Sequence, residues 1–156
     1  MTTGEFVQDV ATLLGPSGPV AAALGGVGRY EERAEQERMG RVVAASVSSG
    51  RHALVEAGTG VGKSFAYLVP LLAWSARTGA KVAVSTATIA LQEQLVQKDL
   101  PLLADALPFD VSFALVKGRG NYLCTRRLHR ALADTGSLFD GDAVHEQLRT
   151  ILELSL

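Results

Sequence analysis

The stretch Glu56-Ala57-Gly58-Thr59-Gly60-Val61-Gly62-Lys63-Ser64 organises the rest of this chain. The short apolar run before it, residues 52–55, predicts a buried strand, and residues 65–76 after it predict a helix. A strand, a glycine-rich loop, a Lys-Ser pair and a helix in this order are the layout of a phosphate-binding P-loop. Glycines let the loop turn sharply and point backbone N–H groups at an anion, and the start of the helix adds partial positive charge. We therefore expect a nucleotide site at this stretch.

The residues of the loop have distinct expected roles. Lys63 would reach the terminal phosphates and the Ser64 hydroxyl would bind the magnesium ion that bridges them, so these two are the predicted catalytic residues. The residues predicted to bind the nucleotide are Ala57, Gly58, Thr59, Gly60, Val61, Gly62, Lys63 and Ser64. The simplest alternative is a glycine-rich turn between a strand and a helix that binds nothing.

Composition and charge narrow the class of protein. The 156 residues correspond to about one domain, and a hydrophobic content of 47% is enough for a packed core. The net charge of −1 gives no global basic field. A single cysteine excludes a disulfide framework within the chain and fits a reducing compartment, so a cytoplasmic location is expected. The N-terminus lacks a basic signal-peptide region, and the longest apolar run, residues 65–74, is too short to span a bilayer. We expect a monomer that does not bind membranes.

The pattern along the chain predicts an α/β fold. The predicted strands are residues 52–55, 81–86 and 111–116. The predicted helices are residues 3–14, 30–47, 65–76, 88–98, 121–133 and 142–156. Residues 99–101 are predicted to be a joint that is followed by a further short helix through Leu107, and the glycine- and proline-rich residues 15–28 are a flexible connection. Because strands alternate with helices, we expect a parallel sheet with flanking helices. The side chains expected to face inward on the second and fourth helices are Met39, Val42, Val43 and Val47, and Ile89, Leu91, Leu95 and Val96.

A second candidate group lies shortly before the loop. Arg33 and Gln36 are three residues apart on one helix face, with Tyr30 at the start of that helix. A glutamine amide can accept a hydrogen bond from adenine N6 and donate one to N7, and a tyrosine ring can stack on the base. We therefore predict that Tyr30, Arg33 and Gln36 contribute to the nucleotide site. The alternative is a solvated charged face.

Two further segments suit nucleic acid. Residues 85–88 (STAT) follow the second predicted strand, where hydroxyls and helix N–H groups could bind a phosphate; an ordinary helix N-cap at Thr88 is the alternative. Residues 111–133 contain no acidic residue, and they surround Tyr122 with basic side chains that suit single-strand binding. These are Lys117, Arg119, Arg126, Arg127 and Arg130. A solvated basic helix face is the alternative there.

Taken together, these motifs resemble the DinG/XPD-like family of iron–sulfur superfamily 2 DNA helicases. The resemblance is carried by Tyr30…Arg33…Gln36…Met39, VEAGTGVGKSFAYLVPLL, STATIALQEQL, KDLPLL and KGRGNYLC, and it is greatest to bacterial DinG-type proteins. An alanine at the position of Ala57, where the usual loop has glycine, is also typical of superfamily 2. The resemblance implies the first, RecA-like motor domain of a helicase, with Gln36 on adenine. It also implies that Thr86, Thr88 and Gln94 face DNA, and that Cys124 is the first of four cysteines that bind a 4Fe–4S cluster.

The chain departs from the family pattern in what it lacks. Three of the four cysteines, the Asp-Glu-Ala-His box and a second motor domain with its arginine finger are absent from the sequence. We therefore expect the N-terminal part of a helicase. Its divisions would be residues 1–29, a helix and connection; 30–117, the first part of the ATP-binding domain; and 118–156, the start of the iron–sulfur region.

The expected function follows from the resemblance. It is that of an ATP-dependent DNA helicase moving 5′ to 3′ on single-stranded DNA, with ATP, magnesium and a 4Fe–4S cluster as cofactors. Two alternatives stay open. One is a nucleotide-binding chain without turnover, and the other is a different P-loop enzyme such as a small-molecule kinase, which GRGNYLC fits poorly.

Overall fold

The computed structural model describes residues 2–25, 33–133 and 142–154, without the side chains of 142–145. Its chain divides into two compact units, Met1–Ala114 and Leu115–Leu156, and each is described by itself. Tyr30, one of the predicted nucleotide-binding residues, lies outside the described residues.

The first unit begins with helix α1, Thr3–Leu14, as predicted. A reciprocal cap starts this helix, because the Thr2 hydroxyl accepts from the Glu5 amide and the Glu5 carboxylate accepts from the Thr2 amide at 2.7 Å. Helix α2, Pro19–Ala23, lies inside the stretch predicted to be a flexible connection. Its Val20 and Ala21 side chains are buried. Part of this connection is therefore a helix that packs through apolar side chains, although its glycine and proline content predicted a flexible segment.

The two longest helices described in the first unit are α3 (Ala34–Ser49) and α4 (Lys63–Thr78). Each ends at a glycine in the left-handed region: Gly50 at φ 65° and Gly79 at φ 70°. Glycine is favoured there because it has no Cβ to clash with the preceding carbonyl. Helix α4 continues through the buried Pro70, as predicted.

The core of the first unit is centred on α1, α3 and α4 and also includes side chains of α2 and of residues 95–107. Phe6 of α1 meets Trp74 of α4 edge to face, with ring centroids 5.5 Å apart. The guanidinium of Arg77 stacks 5.2 Å above the Phe6 ring and also pairs with Asp9 at 2.9 Å. The buried side chains of this core are Phe6, Val10, Leu14, Val20, Ala44, Leu68, Val69, Leu72, Ala73, Leu95, Leu103 and Leu107.

The buried face of α3 overlaps the predicted one but has a different centre. The most buried residues of this helix are Gln36, Gly40 and Ala44, whereas Val42 is 41% exposed, contrary to the prediction. Val47 packs against the core as predicted, and Met39 and Val43 are half-buried. A Cβ at Gly40 would overlap Leu14 Cδ1, which shows how closely α3 approaches α1. Small residues allow this approach and therefore lie at the centre of the buried face.

Three consecutive helical segments follow α4. They are α5 (Ile89–Gln94), one π-helical turn (Leu95–Asp99) and α6 (Leu100–Ala106). The predicted joint at residues 99–101 is therefore helical, and Pro101 is the second residue of α6, which continues to Ala106 as the predicted short helix. Leu95 is buried as predicted, but Ile89 is 61% exposed, contrary to the prediction.

The described residues contain no strand at the three positions where strands are predicted. Residues 52–55, 81–86 and 111–116 run without regular pairing. Backbone N–H and C=O groups form a strand only with a neighbouring strand, and these three stretches do not pair with one another. The large apolar side chains that they expose are Leu54, Val82, Val84, Phe113, Leu115 and Val116. The parallel sheet is not confirmed and stays a prediction.

The second unit contains a 3₁₀ turn (Arg119–Asn121), helix α7 (Thr125–Ala133) and helix α8 (Asp142–Glu153). Helix α7 begins four residues later than predicted, packs against α8 and buries Leu128. Across the described ranges, every helix falls short of the length and apolar character needed to cross a bilayer.

Candidate nucleotide site

The predicted P-loop has the backbone of an anion cradle. Gly60 and Gly62 lie in the left-handed region at φ 82° and 81°, where other residues are strained. Gly62 is the N-cap of α4, so Lys63 and Ser64 are the first two residues of that helix. The loop therefore ends at amides that carry the partial positive charge of a helix N-terminus, and these amides suit a phosphate.

The side chain of Lys63 lies along this loop. Its Nζ donates to the carbonyl oxygens of Ala57 at 3.1 Å and Gly58 at 2.6 Å. The ammonium group is exposed, and a phosphate offers it a stronger, charge-assisted bond than a carbonyl does. The arrangement places a cation along the loop, and its contact with phosphates stays a prediction.

Two side chains of the α3 region donate hydrogen bonds to carbonyl oxygens of the loop. Gln36 Nε2 donates to the Gly62 carbonyl oxygen at 2.9 Å, and Arg33 donates through a terminal guanidinium nitrogen to the Gly60 carbonyl oxygen at 2.9 Å. Gln36 is only 2% exposed. A Cβ at Gly62 would overlap the Gln36 side-chain amide, so a side chain there would displace this contact in addition to straining the backbone. The structure thus brings Arg33 and Gln36 to the P-loop, while their contact with a base stays a prediction.

Ser64 and Tyr67 lie about one helical turn apart at the start of α4. The pKa of the Tyr67 hydroxyl is raised, first by burial and also by the negative charge of Asp99, while the Ser64 hydroxyl opposes the rise. Asp99 is 4% exposed, and its Oδ2 accepts from Gln94 Nε2 at 3.1 Å. The sequence analysis missed Tyr67 and Asp99; the signal for Tyr67 was its position one helical turn after Ser64.

The segment after the second predicted strand is an N-cap. The Thr88 hydroxyl accepts from the Leu91 amide at 3.2 Å, and the Thr86 hydroxyl donates to the Thr88 carbonyl oxygen at 3.3 Å. The capping interpretation of Thr88 is confirmed. DNA contacts by Thr86, Thr88 and Gln94 stay a prediction.

The residues of this chain do not by themselves fit an iron–sulfur cluster. Cys124 is an exposed free thiol, and the cluster needs four cysteine ligands where the sequence has one. Within the described residues, no three His, Cys, Asp or Glu side chains are grouped so that they could hold a metal ion. Next to Cys124, the hydroxyl of Tyr122 accepts from the Lys117 amide at 2.8 Å.

Comparison with known proteins identifies the family. The family model of DEAD/DEAH box helicases matches residues 37–137. The chain belongs to this family. The match establishes the RecA-like P-loop NTPase fold class that the sequence predicted, although it begins one residue after Gln36.

Individual relatives are DinG-like, which confirms the predicted resemblance. The "ATP-dependent helicase DinG" of Mycobacterium tuberculosis is 50% identical over 131 residues, which are 81% of this chain and 19% of that protein. The "ATP-dependent DNA helicase YoaA" of Escherichia coli is 42% identical over 79% of this chain and 18% of its own length. The "3'-5' exonuclease DinG" of Bacillus subtilis is 36% identical over 76% of this chain and 13% of its own length. The chain spans about a fifth or less of the length of these relatives.

Proposed function

We propose that this chain provides the Mg–ATP-binding part of a DinG-type DNA helicase that moves 5′ to 3′ on single-stranded DNA. The observation that carries the proposal is the P-loop backbone, in which two left-handed glycines lead into the N-terminus of α4. It occurs in a chain of the DEAD/DEAH box helicase family whose relatives include ATP-dependent DNA helicases.

In this proposal the loop backbone and each neighbouring side chain have separate roles. The backbone from Ala57 to Gly62 surrounds the phosphates, and Lys63 leaves the Ala57 and Gly58 carbonyls to bind the terminal ones. Ser64 offers its hydroxyl oxygen to magnesium, whose charge offsets that of the phosphates. Arg33 and Gln36, already in contact with the loop, place a base-reading amide beside it.

The remaining parts of the proposal concern the sheet and DNA. We propose that residues 52–55, 81–86 and 111–116 become parallel strands, because a sheet would cover the apolar side chains that they expose. We propose that residues 85–88 in the first unit and, separately, the basic residues from Lys117 to Arg130 in the second unit contact single-stranded DNA, and that the protein is a monomer. Cys124 could ligate a cluster only together with three cysteines that this sequence does not contain.

A titration of the purified chain with a fluorescent ATP analogue and magnesium tests the nucleotide site. Lys63→Ala removes a charge-assisted phosphate contact and should weaken binding about tenfold or more. Lys81→Ala removes an equal charge from an exposed position outside the site and should bind like the parent. Equal affinity of Lys63→Ala and the parent would overturn the assignment.

A narrower function, nucleotide binding without turnover, is favoured for these 156 residues by the absence of an Asp-Glu-Ala-His box. Hydrolysis requires a carboxylate that holds magnesium and a group that orients the attacking water. A phosphate-release assay separates this function from a complete ATPase. Transfer of the phosphoryl group to an added small-molecule acceptor, without release of inorganic phosphate, would instead indicate the kinase alternative.

A further inference from the structure

Helix α3 contacts the start of α4 at two successive turns. In the first of these contacts, Gln36 Nε2 donates to the Gly62 carbonyl oxygen at 2.9 Å, at the N-cap of α4. One turn further along both helices, a Cβ added to Gly40 would lie 3.5 Å from the Ala66 carbonyl oxygen. The contact partners are four residues apart on each helix, so the two helices pack turn against turn beside the predicted nucleotide loop.

Gly40 lies where α1, α3 and α4 meet. It is buried, and a Cβ there would overlap Leu14 Cδ1 of α1 and lie 3.8 Å from Val10 Cγ1 of the same helix. Alanine in the interior of a helix is more stable than glycine by about 0.5–1 kcal/mol. Glycine is therefore unfavourable for α3 itself. What it provides is space, because Leu14 occupies the volume that a side chain at this position would need.

We propose that Gly40, packed against Leu14, is a positioning residue for base selection: it sets the distance between α3 and α4 at which the Gln36 amide lies at the nucleotide site. This inference rests on the proposed function, because it assumes that Gln36 reads adenine. It extends the determinants of nucleotide specificity to helix α1, which precedes the residues 37–137 that the family model matches.

The distance dependence of hydrogen bonds supports this assignment. A donor and an acceptor 3.6 Å apart no longer form a hydrogen bond, so a shift of α3 by about 0.7 Å would break the 2.9 Å contact of Gln36. Closely packed interiors transmit such shifts, since they contain little empty space to absorb an added methyl group. A methyl group at Gly40 would therefore displace α3, and Gln36 with it.

The predicted phosphate cradle depends on different parts of the structure. Its backbone is set by the left-handed glycines 60 and 62 and by the N-terminus of α4, and Lys63 also belongs to α4. A displacement of α3 leaves these groups in place. Base preference and phosphate affinity should therefore respond separately to a change at Gly40.

The test measures base preference and phosphate affinity in one assay. ATP, GTP and inorganic tripolyphosphate each compete with a fluorescent ATP analogue for the 156-residue chain in the presence of magnesium. Gly40→Ala should reduce the preference for ATP over GTP about three- to tenfold, the value of one hydrogen bond. The affinity for tripolyphosphate, which has no base, should stay unchanged, whereas a general loss of structure would lower all three affinities.

Three further variants test the route from Gly40 to the base. Gly4→Ala is the matched control and should keep the preference, because no atom lies within 4 Å of its added Cβ. Leu14→Val removes the Cδ1 atom that the new methyl group would meet, so Gly40→Ala/Leu14→Val should regain the preference of the parent. In a Gln36→Ala background, Gly40→Ala should not change the preference further, because it acts through Gln36.

The outcomes separate this inference from the proposed function. A parent chain that binds no Mg–nucleotide would overturn both. A parent that binds ATP and GTP equally would overturn base reading by Gln36 and this inference, but not the phosphate site. An ATP preference that Gly40→Ala leaves unchanged would overturn the positioning role alone.

Thermal unfolding of each variant confirms that the compared proteins are folded at the temperature of the binding assay. If Gly40→Ala does not fold, Leu14→Phe takes its place, because the larger side chain crowds Gly40 from the side of α1 without a change in α3. It should lower the ATP preference and keep the affinity for tripolyphosphate. An unchanged preference in Leu14→Phe would overturn the positioning role.

Discussion

The side-chain amide of Gln36 donates a 2.9 Å hydrogen bond to the carbonyl oxygen of Gly62, at the point where the P-loop becomes helix α4. The same carbonyl accepts from the Ala66 amide at 3.2 Å, inside the first turn of that helix. Gln36 is therefore fixed to the nucleotide loop by its position on α3, and the buried amide is satisfied by the loop backbone. Gln36 and the predicted phosphate-binding loop form one connected structure.

This contact predicts the effect of adding a methyl group to the loop. Gly62→Ala and Gly60→Ala introduce similar left-handed strain, about 1–2 kcal/mol, but only the Cβ at position 62 meets the Gln36 amide. We expect Gly62→Ala to lower the free energy of unfolding more than Gly60→Ala in denaturant titrations. The extra destabilisation by Gly62→Ala should disappear when each glycine variant is made separately in a Gln36→Ala background. An equal cost at the two positions would contradict the contact.

Base selectivity gives a second prediction. If Gln36 reads adenine, the parent should bind ATP more tightly than GTP, and Gln36→Ala should reduce that preference, because phosphate contacts do not distinguish the bases. Competition against a fluorescent ATP analogue measures both affinities. Gln147→Ala, at an exposed position of α8, is the matched control and should keep the preference. Identical ATP and GTP affinities in the parent would remove Gln36 from base recognition.

The elements with strong local signals could be predicted from the sequence. Helix α1 begins at a reciprocal cap and α4 ends at a left-handed glycine, and both signals depend on neighbouring residues only. The face of α3 could be predicted only in part, because its most buried positions are Gln36, Gly40 and Ala44 rather than large apolar side chains. The π turn had no sequence signature, since it depends on how Leu95 and Asp99 pack against other helices.

The parts of the candidate site that lie within one stretch of sequence could be predicted. Lys63, Ser64 and the two left-handed glycines follow from the motif itself. The contact of Gln36 with Gly62 joins residues far apart in sequence, so the motif could place Gln36 near the nucleotide but not on the loop backbone. Asp99 was missed because a lone acidic residue in a helical pattern is usually a solvated one, and only packing reveals its burial.

The connection between α1 and α2 allows a stability prediction. A Cβ at Gly18 would overlap the backbone carbonyls of Thr12 and Leu13, which cannot move without disturbing α1. Gly18→Ala should therefore be strongly destabilising. Gly4→Ala is the matched control: no atom lies within 4 Å of its added Cβ, and alanine should stabilise α1 by about 0.5–1 kcal/mol. Thermal unfolding of both variants shows whether each change raises or lowers stability. Stabilisation by Gly18→Ala would contradict the packing described for this connection.

The last prediction concerns turnover by the 156-residue chain. It contains the phosphate cradle but no Asp-Glu-Ala-His box, and the charge that a second motor domain would bring to the γ-phosphate is also absent from the sequence. We expect the chain to bind Mg–ATP and to release phosphate no faster in the presence of single-stranded DNA than in its absence. With one cysteine, it should also be colourless when purified anaerobically.

Phosphate release with and without single-stranded DNA checks this expectation, with Lys63→Ala as the variant that identifies any activity as belonging to the P-loop. The chain must stay monodisperse during the assay, because exposed side chains such as Leu54 and Val116 favour association. Light scattering on the same sample monitors this. DNA-stimulated release that disappears in Lys63→Ala would show that the carboxylate for hydrolysis is already present among these residues.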